Sequence, residues 1–158
     1  MNLFYSDKDP EVSVRHLDDK RVVKMVLETA QILSTAANIH GAKTTYKPTH
    51  QNHPWIKYAS ASSKNYEYVL AYFKAICKEY TYRYNRVHKS QNLFNELFSF
   101  ANVIKDTDNL SIPSCTGQFK DKTVCENYMD VLSWKWQNDK RKPSWTNREK
   151  PSFYDSLE

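Results

Sequence analysis

The stretch Leu17 to Ile39, LDDKRVVKMVLETAQILSTAANI, constrains the fold more than any other part of this chain. It holds no Gly or Pro and is long enough for about six helical turns. On a helical wheel at about 100° per residue, Val22, Val23, Val26, Ala30, Leu33 and Ala37 share one wide face. Met25, Ile32 and Ala36 extend the apolar arc on one side and Leu27 on the other. A polar stripe of Arg21, Lys24, Glu28, Gln31 and Thr35 fills the remaining arc of about 80°. A helix apolar over most of its circumference is buried, and buried charge is costly unless paired. Two readings of the stripe follow. Either it is a solvated face, with Lys24 and Glu28 paired at a spacing of four. Or it lines a cleft in which Glu28 is the working carboxylate and Arg21 and Lys24 receive an anion.

The chain's 158 residues fit one domain with a real core. Only two glycines, Gly41 and Gly117, argue against a sheet of tight hairpins and against a Gly-rich phosphate loop. A formal charge of +5 permits a polyanionic partner without requiring one. Cys77, Cys115 and Cys125 are odd in number and lack C-x-x-C spacing. With no signal peptide visible, they point to reduced thiols in a cytoplasm. No apolar run reaches 18 residues, so no membrane span is expected.

Around the central helix the pattern is helical throughout. Pro10 suits the first turn of a short helix after SDKDP, and Gly41 suits a left-handed cap ending the long one. Residues 42–54, AKTTYKPTHQNHP, read as a long polar loop of the kind that is functional or mobile. PWIKYAS forms a short turn, and Ser60, Ser62 and Ser63 offer caps for a second long helix from Lys64 to His88. Its inward row is Tyr66, Val69, Leu70, Phe73, Ile76, Cys77 and Tyr80. Ser90 caps a third helix, Gln91 to Val103, with Leu93, Phe94, Leu97, Phe98 and Ala101 inward. Thr123 and Glu126 form a capping box that opens a fourth, with Tyr128, Val131, Leu132 and Trp134 inward. The remainder, basic and aromatic, is an arm or a disordered tail, and Trp134, Trp136, Trp145 and Phe153 favour an arm.

Glu28 is the strongest chemical candidate. Enclosure raises a carboxyl pKa and neighbouring cations oppose the rise, so the balance can set a general acid or base near its working pH. The structural alternative is an ion pair with Arg21 or Lys24. His50 and His53 have H-x-x-H spacing, but no third and fourth ligand sits at a recognisable distance, so no metal is assigned. They cap the following turn, fix the loop, or face a substrate. The run Tyr80, Tyr82, Arg83, Tyr84, Arg86, His88 and Lys89 interleaves rings with cations, as base stacking and phosphate contact require. A helix end packed under the tail reads the same way. Lys140 to Trp145 is equally open. No G-x-S-x-G is present, and Cys115 has no partner by spacing.

Leu17 to Leu33, followed by Asn52-His53-Pro54 and then Trp55, resembles the pyrimidine-dimer DNA glycosylase family of the endonuclease V type. Setting the leucine that opens the family helix on Leu17 brings the family's essential glutamate onto Glu28 without a gap. The whole chain is also similar to uncharacterised tailed-phage proteins in Asp19 to Met25, Thr49 to Pro54 and Trp145 to Arg148. The resemblance implies a small all-α enzyme acting on DNA in the cytoplasm, the host's if phage-encoded. Two features depart from the family. Its members attack with the amine of a threonine freed by Met removal, whereas Asn2 stands here, leaving the Met1 amine, water or no nucleophile. The arginines flanking the family glutamate are Leu27 and Gln31.

Together these observations predict a mainly α, compact single-domain fold around the Leu17–Ile39 helix. Residues 1–138 would form the domain and 139–158 a basic, aromatic arm packed on it. The expected function is cleavage of an N-glycosidic bond in DNA or in a nucleotide, with Glu28 catalytic and no cofactor. Arg21, Lys24, Gln31, Tyr46, His50, His53, Trp55 and Arg83 would bind substrate, Tyr46 or Trp55 reading a flipped base. The rival is a non-catalytic phage protein that sequesters a nucleotide or inhibits a host protein. A sequence-specific regulator is weaker, for want of a helix-turn-helix signature.

Overall fold

A computed structural model describes residues 2–114 and 122–155. Met1, Cys115 and Gly117 lie outside the described residues, and with them the Met1 amine. The described chain is helical, with no strand among those residues. In order come α1 (Pro10–His16), α2 (Asp19–Ile39), α3 (Pro54–Ala61), α4 (Ser63–Tyr84), a 3-10 turn (Lys89–Leu93), α5 (Phe94–Ser99), a second 3-10 turn (Phe100–Asn102), α6 (Val124–Asn138) and α7 (Ser152–Asp155). The expected mainly α fold around a long central helix is what the chain adopts.

Local chemistry sets the boundaries. Asp9 caps α1 by accepting from the Glu11 N–H, with Pro10 in the first turn. The chain then extends through Leu17 and Asp18 before α2, so α1 and α2 are separate. Gly41 lies at φ 88°, in the left-handed region where a Cβ is disfavoured. Ser62 caps α4 through the Asn65 N–H, and Thr123 forms its box with Glu126. The second long helix was expected to reach His88. It stops at Tyr84 because Asn85 turns left-handed, at φ 53°.

The core is built on α2 against α4, with α1 and α3 packed on α4 and α3 also on α2. Trp55, Tyr66, Tyr72, Phe73 and Tyr128 are its largest enclosed side chains. The N-terminal segment is drawn into it: Leu3 and Phe4 are buried, and the Tyr72 hydroxyl donates to the Phe4 carbonyl.

Several expected inward residues turn out instead. Phe98 is 61% and Trp134 60% exposed. The predicted third helix is two 3-10 turns around a six-residue α-helix; within that helix Leu97 is fully buried, and Phe98, about 100° further round, faces out. On α6 the buried row is Tyr128, Leu132 and Trp136, spaced by four, which leaves Trp134 on the outer side. The chain after α6 returns over α1, α2 and α4. Trp136 stacks on Phe153 at 5.5 Å, and the Trp145 indole donates to the His16 carbonyl. Asp19 receives Ser144 and Thr146.

Candidate active site

On α2 the open stripe is Val23, Lys24, Leu27, Glu28 and Gln31, the last two half-buried. Val23 and Leu27, expected inward, are 43% and 41% exposed. Arg21 and Thr35, expected on the stripe, are buried. Thr35 holds the long polar loop by accepting the Thr49 N–H at 3.1 Å. Arg21 can be buried because two carboxylates meet it. Its Nη1 donates to Asp18 Oδ1 and to Asp139 Oδ2, each at 2.9 Å. Burial works against the charged guanidinium, but the bond to Asp139 and the field of Asp18 hold its pKa above the usual arginine value. Asp139 is in turn held below the usual carboxylate range, first by that bond. Asp18 also accepts the Trp136 indole N–H at 2.8 Å.

These groups wall a cleft of about 220 Å³ lined by Asn2, Phe4, Lys20, Arg21, Lys24, Met25, Glu28, Lys135 and Asp139. Three parts of the chain build it. The first half of α2 supplies Glu28, Lys24 and Arg21, and the last turn of α6 supplies Lys135. The N-terminal segment supplies Asn2, whose Oδ1 accepts the Trp55 indole N–H at 3.0 Å. Burial, then the nearby Arg21, lower the Lys135 pKa against the opposing pull of Asp139; Lys24 and Lys20 add to the lowering. Two carboxylates, Glu28 and the Arg21-bound Asp139, therefore stand among several cations at a cleft too small to enclose a whole drug-sized ligand.

The other expected binding residues are dispersed. Tyr46 shares a hydrogen bond with Ser90 Oγ at 2.8 Å. His50 is exposed at φ 49°, and its carbonyl accepts the His53 N–H. His53 caps α3, its Nδ1 accepting from the Trp55 N–H, so of the roles open to it the cap is the one observed. Trp55 is 1% exposed, beside Tyr58 and Tyr128; a ring so enclosed presents no face to a base, and its part is to fix Asn2. Arg83 is 2% exposed and bound to Glu79, Asp19 and the Arg15 carbonyl. It is the bottom of an ion network under the arm, not a phosphate contact. Gln31 lies one turn beyond Glu28 on the open stripe.

Asn2, Lys135 and Asp139 were not singled out as cleft residues in the sequence. Asp139 and Arg21 are 118 positions apart, and no periodicity signals such a pair. A larger groove of about 830 Å³ lies along α4 and the 3-10 turn after it. Lys74, Lys78, Tyr82 and Phe94 line it, and no carboxylate does.

No curated protein and no solved structure matches the chain. A family model does: residues 1–92 match the one described as pyrimidine dimer DNA glycosylase. The matched stretch holds α2, Glu28 and the Asn52–Trp55 element, and spans more than half of the chain. This protein belongs to the pyrimidine dimer DNA glycosylase family.

Proposed function

We propose that the chain breaks the N-glycosidic bond of a nucleotide in DNA, with Glu28 as the catalytic carboxylate. The observation that carries this reading is Glu28, half-buried, lining one cleft with Lys24, Arg21 and Lys135. Departure of a base leaves positive charge at the sugar C1′ and negative charge on the leaving ring. A carboxylate facing C1′ stabilises the first and can take a proton from the attacking group. Lys24 and the remaining guanidinium donors of Arg21 hold the flanking phosphates. Reaching C1′ requires the nucleotide to leave the stack. The exposed Val23 and Leu27, on the turn that carries Glu28, offer an apolar edge to the gap so opened. The attacking group is water or an amine, and Lys135 is an amine in the cleft whose proton is loosened by its surroundings.

The test is incubation with damaged, modified and normal duplex oligonucleotides and a nucleotide panel, scored by mass spectrometry for free base. Borohydride in a parallel sample traps any amine adduct. Glu28→Gln is expected to lower base release by about 10²- to 10⁴-fold, with duplex affinity held within about threefold. Base release undiminished in Glu28→Gln overturns the assignment. Stoichiometric capture of a nucleotide with no base released would favour the binding-protein reading instead.

A further inference from the structure

A second groove, of about 700 Å³, adjoins the Glu28 cleft and shares Lys20 and Asp139 with it. It is lined by the bend that follows α6, Asp139 to Ser144, and by Asp18 and Lys20 at the start of α2. The bend is fixed at both ends. Asp139 is tied to Arg21, and at the far end the Asp19 N–H donates to the Ser144 carbonyl at 2.8 Å while Ser144 Oγ donates to Asp19. Pro143 limits the backbone between them. Lys140, Arg141 and Lys142 are therefore held on a closed loop.

The charge in this groove is unbalanced. Asp18 and Asp139 are already engaged by Arg21, and Lys20 also reaches Asp139 at 3.4 Å. Lys140, Arg141 and Lys142 are exposed, and among the described residues no carboxylate pairs with them. Three adjacent cations on a fixed loop repel one another unless an anion is present. The groove adjoins, through Lys20 and Asp139, a cleft whose proposed substrate is a polyanion, so the anion it suits is the same strand further along.

We infer that Lys140, Arg141, Lys142 and Lys20 form a track for the DNA backbone phosphates that flank the nucleotide held at Glu28. The inference rests on the DNA reading above and adds to it the path of the strand. Lys140, Arg141 and Lys142 follow α6, beyond the 92 residues that match the family, and Lys20 lies within them. Base edges play no part, so the track adds affinity and register without sequence preference.

The experiment measures binding to a fluorescent duplex across a salt series. Each phosphate contact contributes about 0.9 to the slope of log K against log salt. A Lys140→Ala/Arg141→Ala/Lys142→Ala variant is expected to lose about 2 to 3 from that slope. Lys64→Ala/Lys74→Ala/Lys78→Ala removes equal charge elsewhere and should leave the slope within about 1 of the parent. Equal melting temperatures confirm that both variants fold. An unchanged slope in the first variant, or an equal loss in the second, overturns the track. Base release from free nucleotides with no duplex binding overturns the track and leaves the glycosidic chemistry standing. Duplex binding that follows the predicted slopes without base release supports the track and removes the chemistry.

Discussion

Glu79→Gln tests how the C-terminal arm is fastened to the helical body. Glu79 is 3% exposed and accepts Arg83 Nε at 3.0 Å, Arg148 Nε at 2.8 Å and Arg148 Nη2 at 3.0 Å. The Arg83 side chain is fully enclosed, and its other carboxylate is Asp19 at 3.1 Å. Removing the Glu79 charge leaves two guanidinium groups against one carboxylate. Breaking a buried pair on one side costs about 3–5 kcal/mol. Arg148 is partly exposed, so its share is screened, and the glutamine carbonyl keeps one acceptor. The expected loss is at the lower end, about 3 kcal/mol, or roughly 6–12 °C in melting temperature for a domain of this size. Urea unfolding with an unchanged m-value gives the number. Adding Arg148→Met removes the cation left without a carboxylate and should recover part of the loss. The same carboxylate shapes the acid limb. Burial alone would raise its pKa, but bonds from Arg148 and then Arg83 outweigh that and hold it below the ordinary value. A lowered native pKa gives stability that is present above the unfolded value, about 4.3. That stability disappears as pH falls through the native value. The parent should therefore lose stability below about pH 4, and Glu79→Gln should lose less of its remaining stability there. A loss under about 1 kcal/mol at pH 7, the range of surface pairs, or a double variant as unstable as the sum of its parts, refutes the account.

Two further outcomes follow from the same environments. Cys77 is buried and its thiol is pushed up to about 12 by that burial, so iodoacetamide at pH 8 should label the half-exposed Cys125 while Cys77 stays unlabelled until urea unfolds the protein; peptide mass mapping decides. Arg21→Met leaves the buried Asp18 without a cation and Asp139 with Lys20 alone, and should lower both melting temperature and base release, whereas Lys24→Ala, at an exposed position, should weaken duplex binding by about 1 kcal/mol at most with melting unchanged. An equal thermal cost for the two would mean that the ion pairs of Arg21 contribute no stability.

The sequence discloses what is periodic or local. α2 follows from its uninterrupted apolar arc, and Pro10, Gly41, Ser62 and the Thr123 box mark ends by short-range bonding that any four residues reveal. Where periods change, the pattern misleads: one helix over residues 91–103 is expected, yet 3-10 turns take both of its ends and Leu97 alone of its inward row is fully buried. The stripe on α2 was ambiguous for a different reason. Whether Arg21 faces solvent or is buried depends on Asp139, and nothing near Arg21 in the chain announces that carboxylate. Trp55 shows the converse error. A tryptophan beside a family-like motif suggested a stacking ring, yet its indole N–H is taken up by Asn2 and its faces by the core.

The cleft is thus composed of parts with unequal freedom to vary. Lys24 projects from the outer stripe and can be exchanged at little cost to the fold, while Glu28 beside it is half-buried. Arg21 cannot be exchanged alone, because it is the cation of the buried Asp18, and losing it leaves that carboxylate enclosed without a partner charge, at about 3–5 kcal/mol. Asp139 caps the end of α6, outside the family match, so a cation that lines the cleft with Glu28 is held by a residue that the match does not include. A chain that kept the first 92 residues and changed α6 would retain the carboxylate but not the surroundings that set its charge balance. The proposed chemistry would sit on α2, in a cleft whose walls also come from the N-terminal segment, from Lys135 of α6 and from Asp139 just after it.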